Sequence, residues 1–178
     1  TQAQRDLHRE SGRLLGEAGE LYRRHAAAII ASSSQEAGES LWRAAQCFDA
    51  AQDWKAAVRV YLQFAQTVPL HPNMVRALRQ LGLAYQADGQ YDNAIAQFRR
   101  LYDQHPTHPQ TYEILVPLAQ CLIQQQQHEP AKRVLMSALN RFEAITPESD
   151  TYRKALIELG QLHYTLREFE PALERLTE

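Results

Sequence analysis

An all-α fold of stacked antiparallel helix pairs is predicted by three observations. A unit recurs along most of the chain, and its clearest copy is residues 78–109, with Leu81, Gly82, Tyr85, Ala94, Phe98 and Pro106 as markers. Shifted back by 37 residues, the markers fall on Ala45, Phe48, Ala57, Tyr61 and Pro69; shifted forward by 37, on Ala119, Leu122, Ala131 and Leu135. A further shift of 41 reaches Gly160, His163, Ala172 and Leu176. Within each copy the apolar residues follow the i, i+3, i+4, i+7 rule of a helix. No stretch sustains the period-two alternation of a strand.

The elements follow in order. Residues 2–31 read as one long helix with Leu14, Leu15, Ala18, Leu21, Tyr22, His25 and Ile29 on its apolar face. Gly16 and Gly19 either weaken its middle, by up to about 1 kcal/mol each, or allow another helix to approach closely. Ala18, Tyr22 and His25 have the spacing of a second helix from a preceding copy. Ser32, Ser33 and Ser34 end this helix and supply an N-cap for the next, near 35–51. Its partner lies near 54–67, after a turn at Gln52 and Asp53. Pro69 and Pro72 then end one helix and start another, and the next pair is expected at 73–87 and 91–104. Gly89 can take the positive φ that closes the turn between them. A third pair is expected near 110–125 and 128–142, with Pro117 removing the hydrogen bond to the Glu113 carbonyl and bending its helix. The last pair reads as 149–166 and 169–178. Pro130 and Pro171 stand in first turns, where proline is tolerated. The chain ends inside the last helix, and the expectation is that it is a piece of a longer protein.

Composition narrows the class of function. The 178 residues suffice for one domain with a sizeable core. Apolar content of 44% and charged content of 22% are globular values. A net charge of −2 argues against broad nucleic-acid binding. No apolar run approaches the roughly 20 residues that span a bilayer. Cys47 and Cys121 hold equivalent places two copies apart and are read as small buried residues, not a disulfide. No phosphate loop, CxxC pair, HExxH or nucleophile elbow is present, so catalysis is not expected. His71, His105 and His108 lie in neighbouring links without a carboxylate or cysteine at ligand spacing. They are read as solvated turn histidines, with no metal and no cofactor.

The arrangement of Leu81, Gly82, Tyr85, Ala94, Phe98 and Pro106 resembles the tetratricopeptide repeat, whose usual period is about 34 residues. The resemblance covers residues 38–178. Copies are assigned to about 38–72, 75–109, 112–147 and 153–178, the last truncated, with residues 1–34 as a cap or part of a preceding repeat. The longer period and proline-rich link resemble those of bacterial cell-envelope assembly and coordinator proteins of the family. What the resemblance implies is a right-handed superhelical solenoid, with first helices lining a concave groove. The first-helix face left free of packing then offers Glu39, Trp42, Arg43, Gln46 and Asp49 in the first copy. It offers Arg76, Arg79, Gln80, Leu83 and Gln86 in the second, Glu113, Val116, Gln120, Ile123 and Gln124 in the third, and Lys154, Ile157, Gln161 and Tyr164 in the fourth. Apolar surface of that extent marks an interface, unless the N-terminal helix or neighbouring repeats cover it. Some family members hold a terminal carboxylate with groove asparagines; Gln46, Leu83, Gln120 and Gln161 stand at those places, so that clamp is not expected. Arg43, Arg76 and Arg79 would attract an acidic segment. The expected function is a non-catalytic protein-interaction scaffold binding a peptide or helix in the groove. The alternative is a structural repeat segment of a larger protein whose groove is filled internally.

Overall fold

The computed structural model describes residues 2–140 and 145–177, and among these every regular element is helical. The elements are α1 (Gln2–Ile29), α2 (Ser34–Ala50), α3 (Trp54–Thr67), α4 (Met74–Ala87), α5 (Tyr91–Gln104), α6 (Pro109–Glu113), α7 (Leu115–Gln124), α8 (His128–Leu139), α9 (Asp150–Thr165) and α10 (Phe169–Thr177). The expected end of α8 near 142 falls on residues 141–144, outside the described residues. The chain divides into two compact units, Thr1–Gly89 and Gln90–Glu178.

In the first unit α2 is packed between α1 and α3, and α3 also packs on α4. Ser33 caps α2 by accepting the Glu36 N–H, and Asp53 caps α3 by accepting the Ala56 N–H. The marker residues Ala45, Ala57 and Gly82 are all buried, as the close helix contacts require. The apolar face expected for α1 is rotated in the structure. Gly19 and Ala26 are buried, while Leu14 and Leu21 are 52% and 64% exposed. The reason is that α1 packs chiefly on α2, and it does so through its smallest residues. A Cβ at Gly19 would lie 3.0 Å from the Phe48 ring, so any other residue there requires the ring to give way by a few tenths of an ångström.

In the second unit α7 packs against α5, α8 and α9, and α10 closes on α9. Ala94, Ala119, Ala131, Gly160 and Ala172 are buried as their register demands. Pro117 does more than bend its helix: the helix is interrupted at Ile114, which ends α6 and starts α7. Pro117 has no N–H for the Glu113 carbonyl, and regular bonding resumes with Leu118 N–H to Ile114 O at 2.8 Å. Gln97, on α5, is half-buried, and its Oε1 accepts no hydrogen bond among the described residues.

The links correct a further expectation. His71 is only 8% exposed and meets the Phe64 ring edge-on at 5.0 Å. Its Nδ1 accepts the Asn73 N–H at 3.1 Å, which leaves the proton on Nε2, 3.1 Å from the Glu39 carboxylate. Gly38 makes room for it: a Cβ there would meet Val68 at 3.0 Å and His71 at 3.3 Å. His108 caps in the same way, its Nδ1 accepting the Gln110 N–H at 3.2 Å. His108 thus caps α6 from within the link, and His71 is part of the core, bonded to the N–H of Asn73, the N-cap residue of α4.

The repeat register is also visible in the backbone. Gln52, Gly89, Gln126 and Arg167 all have positive φ, at 57°, 75°, 57° and 63°. Each closes the turn between a first and a second helix, and only Gly89 is a residue suited to that conformation. Gln126→Gly is expected to raise stability by roughly 0.5–1 kcal/mol, and Gly89→Ala to lower it by roughly 1 kcal/mol. Urea midpoints of the two variants check this; no gain in Gln126→Gly would show that the glutamine makes compensating contacts.

Candidate interaction surface

The exposed face of α2 carries Glu39, Arg43 and Gln46 at i, i+4 and i+7. Trp42 does not share it. Only 7% exposed, it turns inward, 6.0 Å from the Tyr61 ring and 5.9 Å from Phe64. A helix held between two neighbours buries a wider arc than an amphipathic stripe implies, and Trp42 lies in that extra arc. Val116 is buried for the same reason, since α7 has neighbours on three sides. Both leave the set of solvent-facing candidates.

In the first unit, α1 lies along one edge of the α2 face. The Arg43 guanidinium stands 5.9 Å from the centre of the Tyr22 ring, and His25 Nδ1 is 2.9 Å from the Ser40 hydroxyl. Arg43 remains exposed. On α4, Arg76 is exposed, while Arg79, Leu83 and Gln86 are half-buried. Arg79 donates to Gln80 Oε1 at 2.9 Å, and Gln80 donates to Asp49 Oδ2 at 3.4 Å. The Tyr61 hydroxyl donates to the same carboxylate oxygen. Three helices are tied through one acid. Burial pushes the Asp49 carboxyl above the usual range despite the two bonds it accepts, and burial together with the neighbouring carboxylate pushes the Tyr61 hydroxyl well up.

In the second unit, α9 exposes Ile157 (49%), Gln161 and Tyr164 (65%) on one face. Phe169 joins them, edge-on to Tyr164 at 5.9 Å. On α7, Ile123 and Gln120 are half-buried, and the Gln120 amide donates to Glu158 of α9. Lys132, Glu168 and His163 form a cluster joining α8, α9 and the start of α10, with Lys132 Nζ 2.7 Å from Glu168. Hydrogen bonds from Lys132 and then His163 hold the Glu168 carboxyl below its usual range.

Chemistry is quiet elsewhere among the described residues. No group of three or more metal-ligating side chains is present, and no helix is long and apolar enough to cross a membrane. Cys121 is buried and its thiol is pushed up to about 12, and burial also raises Cys47. Neither is an activated nucleophile.

Asp49 gives a pH-dependent signature. Its pKa is higher folded than unfolded, so its contribution to stability is full below the ordinary Asp range and is lost as pH rises through the raised value. Asp49→Asn keeps an acceptor for Tyr61 without the charge. It is expected to be more stable than wild type at pH 7, with the gain vanishing as pH falls below about 4. Thermal melts across that range check the sign; a gain that persists undiminished in acid would contradict it.

Tetratricopeptide-repeat family models match residues 39–71 and 73–144. No curated protein matches the sequence. Among solved structures, the nearly identical TPR-like repeats of a putative kinesin light chain from Podospora anserina are similar at 20% identity and TM-score 0.73, over 99% of this chain and 91% of that one. MamA from Desulfovibrio magneticus RS-1 is similar at 19% identity and TM-score 0.65, over 92% and 93%. PilF of Pseudomonas aeruginosa is similar at 17% identity and TM-score 0.61, over 90% and 74%. At these identities the likeness is one of fold. With the matched residues, the stacked helix pairs and the recurring turns in agreement, this chain belongs to the tetratricopeptide-repeat family.

Proposed function

We propose that the chain is a non-catalytic scaffold that holds a peptide or helix of a partner protein against the exposed faces of its first helices. Repeats of this family suggest protein interaction in general. The observation that supports this particular surface is the exposure of Ile157 and Tyr164 together on α9, with Phe169 beside them. Clustered aromatic and aliphatic side chains left in water are the usual mark of an interface. The first unit adds a different chemistry. Arg43 and Arg76 are exposed guanidiniums, and Arg79 is half-buried and braced through Gln80. A partner suited to these patches carries acidic residues and large apolar residues. Gln46, Leu83, Gln86, Gln120, Ile123 and Gln161 complete the proposed lining.

The two patches act on different phases of binding. Charge steers encounter and is screened by salt, whereas apolar anchors set residence time. Arg43→Glu with Arg76→Glu is therefore expected to weaken partner capture mainly at low salt. Ile157→Asp is expected to weaken it at least about tenfold at every salt concentration. The check is a titration with partners recovered from the source cells. If both variants bind as wild type does, these faces are not the binding surface.

A further inference from the structure

A second site lies away from the first-helix faces, within the second unit. Here α5 and α8 run as two walls above α7. Leu115, Leu118 and Leu122 of α7, spaced i, i+3 and i+7, form the floor, and all three are buried. Val134 and Ser137 stand on the α8 wall and Tyr102 on the α5 wall, and the trench encloses about 320 Å³. Its floor is about 10 Å long, two turns of helix.

The rim has its own character. Arg99 from α5 and Arg133 from α8 both line the trench, one from each wall, with Asp103 the one carboxylate in its lining among the described residues. Both guanidiniums belong to exposed residues, and neither makes a hydrogen bond or ion pair among the described residues. The corresponding hollow of the first unit, between α1 and α3, also has two arginines, Arg23 and Arg59. There Arg23 is held by Glu20 through bonds of 2.6 and 2.9 Å, and the Phe48 ring lies at the floor where the register puts Leu122. The first hollow supplies its own carboxylate and its own aromatic side chain. The trench over α7 also has Tyr102 and Asp103 in its lining, yet no carboxylate pairs with Arg99 or Arg133 among the described residues, and its floor is leucine where the first hollow has a phenylalanine ring.

From this contrast we infer that the α5–α7–α8 trench is a docking site for a short peptide segment in which one or two bulky apolar side chains are flanked by Asp or Glu. The leucine floor favours an apolar occupant. The two guanidiniums favour carboxylates beside it, which they can fork. This site is independent of the first-helix faces, and a partner can occupy one without the other.

The test is fluorescence polarisation with the 178-residue chain and a labelled peptide carrying Glu-Glu-Leu-Phe. Controls are the same peptide with Lys-Lys for Glu-Glu and one with Ser-Ser for Leu-Phe. The expected result is saturable binding of the first peptide only. Arg99→Glu with Arg133→Glu is expected to weaken it about tenfold or more. Val134→Trp, which fills the trench, is expected to do the same, while Arg59→Glu in the hollow of the first unit leaves it unchanged. Circular dichroism verifies that each variant folds, and Arg99→Gln with Arg133→Gln replaces the reversal if it does not. Equal binding of the Lys-Lys peptide, or undiminished binding by the arginine variants, overturns the site. Saturation by dodecanoate with no response to the peptide overturns the assignment to a peptide.

Discussion

The close approach of neighbouring helices at small residues is the constraint on which the rest of the structure depends. Ala57, Ala94, Ala131 and Ala172 recur at the same register of the second helices, and every one is buried. Ala45, Gly82, Ala119 and Gly160 do the same for the first helices. Gly160 of α9 shows the constraint in its strictest form, since a Cβ there would meet Leu176 at 2.6 Å, and Gly19 of α1 lies similarly close to the Phe48 ring. Where backbones come this near, neighbouring large residues interdigitate on either side of the contact, and within each unit a neighbouring helix covers the apolar face that remains. Leu41, Phe64, Phe98 and Leu135 are fully enclosed because the small residues beside them let the helices close.

That packing also decides what is left for function. A helix held between two neighbours keeps only a narrow strip in water, so α2 retains Glu39, Arg43 and Gln46 but loses Trp42 to the core. α9 keeps a broader strip, and on it apolar Ile157 and Tyr164 are exposed beside Gln161. The polar groups that packing cannot avoid burying are tied together: Asp49 receives Tyr61 and Gln80, and His71 bridges Asn73 and Glu39. These contacts stiffen the frame behind the exposed arginines. The trench over α7 arises from the same geometry, since two second helices flanking one first helix leave a hollow that side chains either fill or leave open.

Much of the fold was legible because a repeat states its register several times. The helix bounds, the buried alanines and the turn at Gly89 could each be read from one copy and checked in another. Pro117 was legible as a disruption, since a missing N–H acts locally. What was not legible depended on how many neighbours a helix has. The leucine stripe of α1 pointed the wrong way because a helix with one main neighbour buries whichever face fits, and there the small residues fit. Trp42 and Val116 were assigned to the free face because a single amphipathic stripe was assumed where the structure packs several sides. His71 looked like a turn residue, and its burial follows from Gly38, which lies 33 residues earlier in the sequence. The Asp49–Tyr61 bond had a signal that could have been used: Tyr61 stands where Phe98 and Leu135 stand in later copies, and a buried hydroxyl requires an acceptor.

The most direct test of this account is a volume series at Ala131, replacing it with Gly, Ser, Val and Leu and reading the denaturant midpoint. Ala131 is fully buried at the α7–α8 contact. If the close contact governs the fold, stability falls with every residue larger than alanine, by about 1–3 kcal/mol for Leu. Gly loses only about 1 kcal/mol, the difference in helix propensity. A Leu variant as stable as wild type would mean that the helices can part at no cost and that the small-residue contact is not what holds the repeats together.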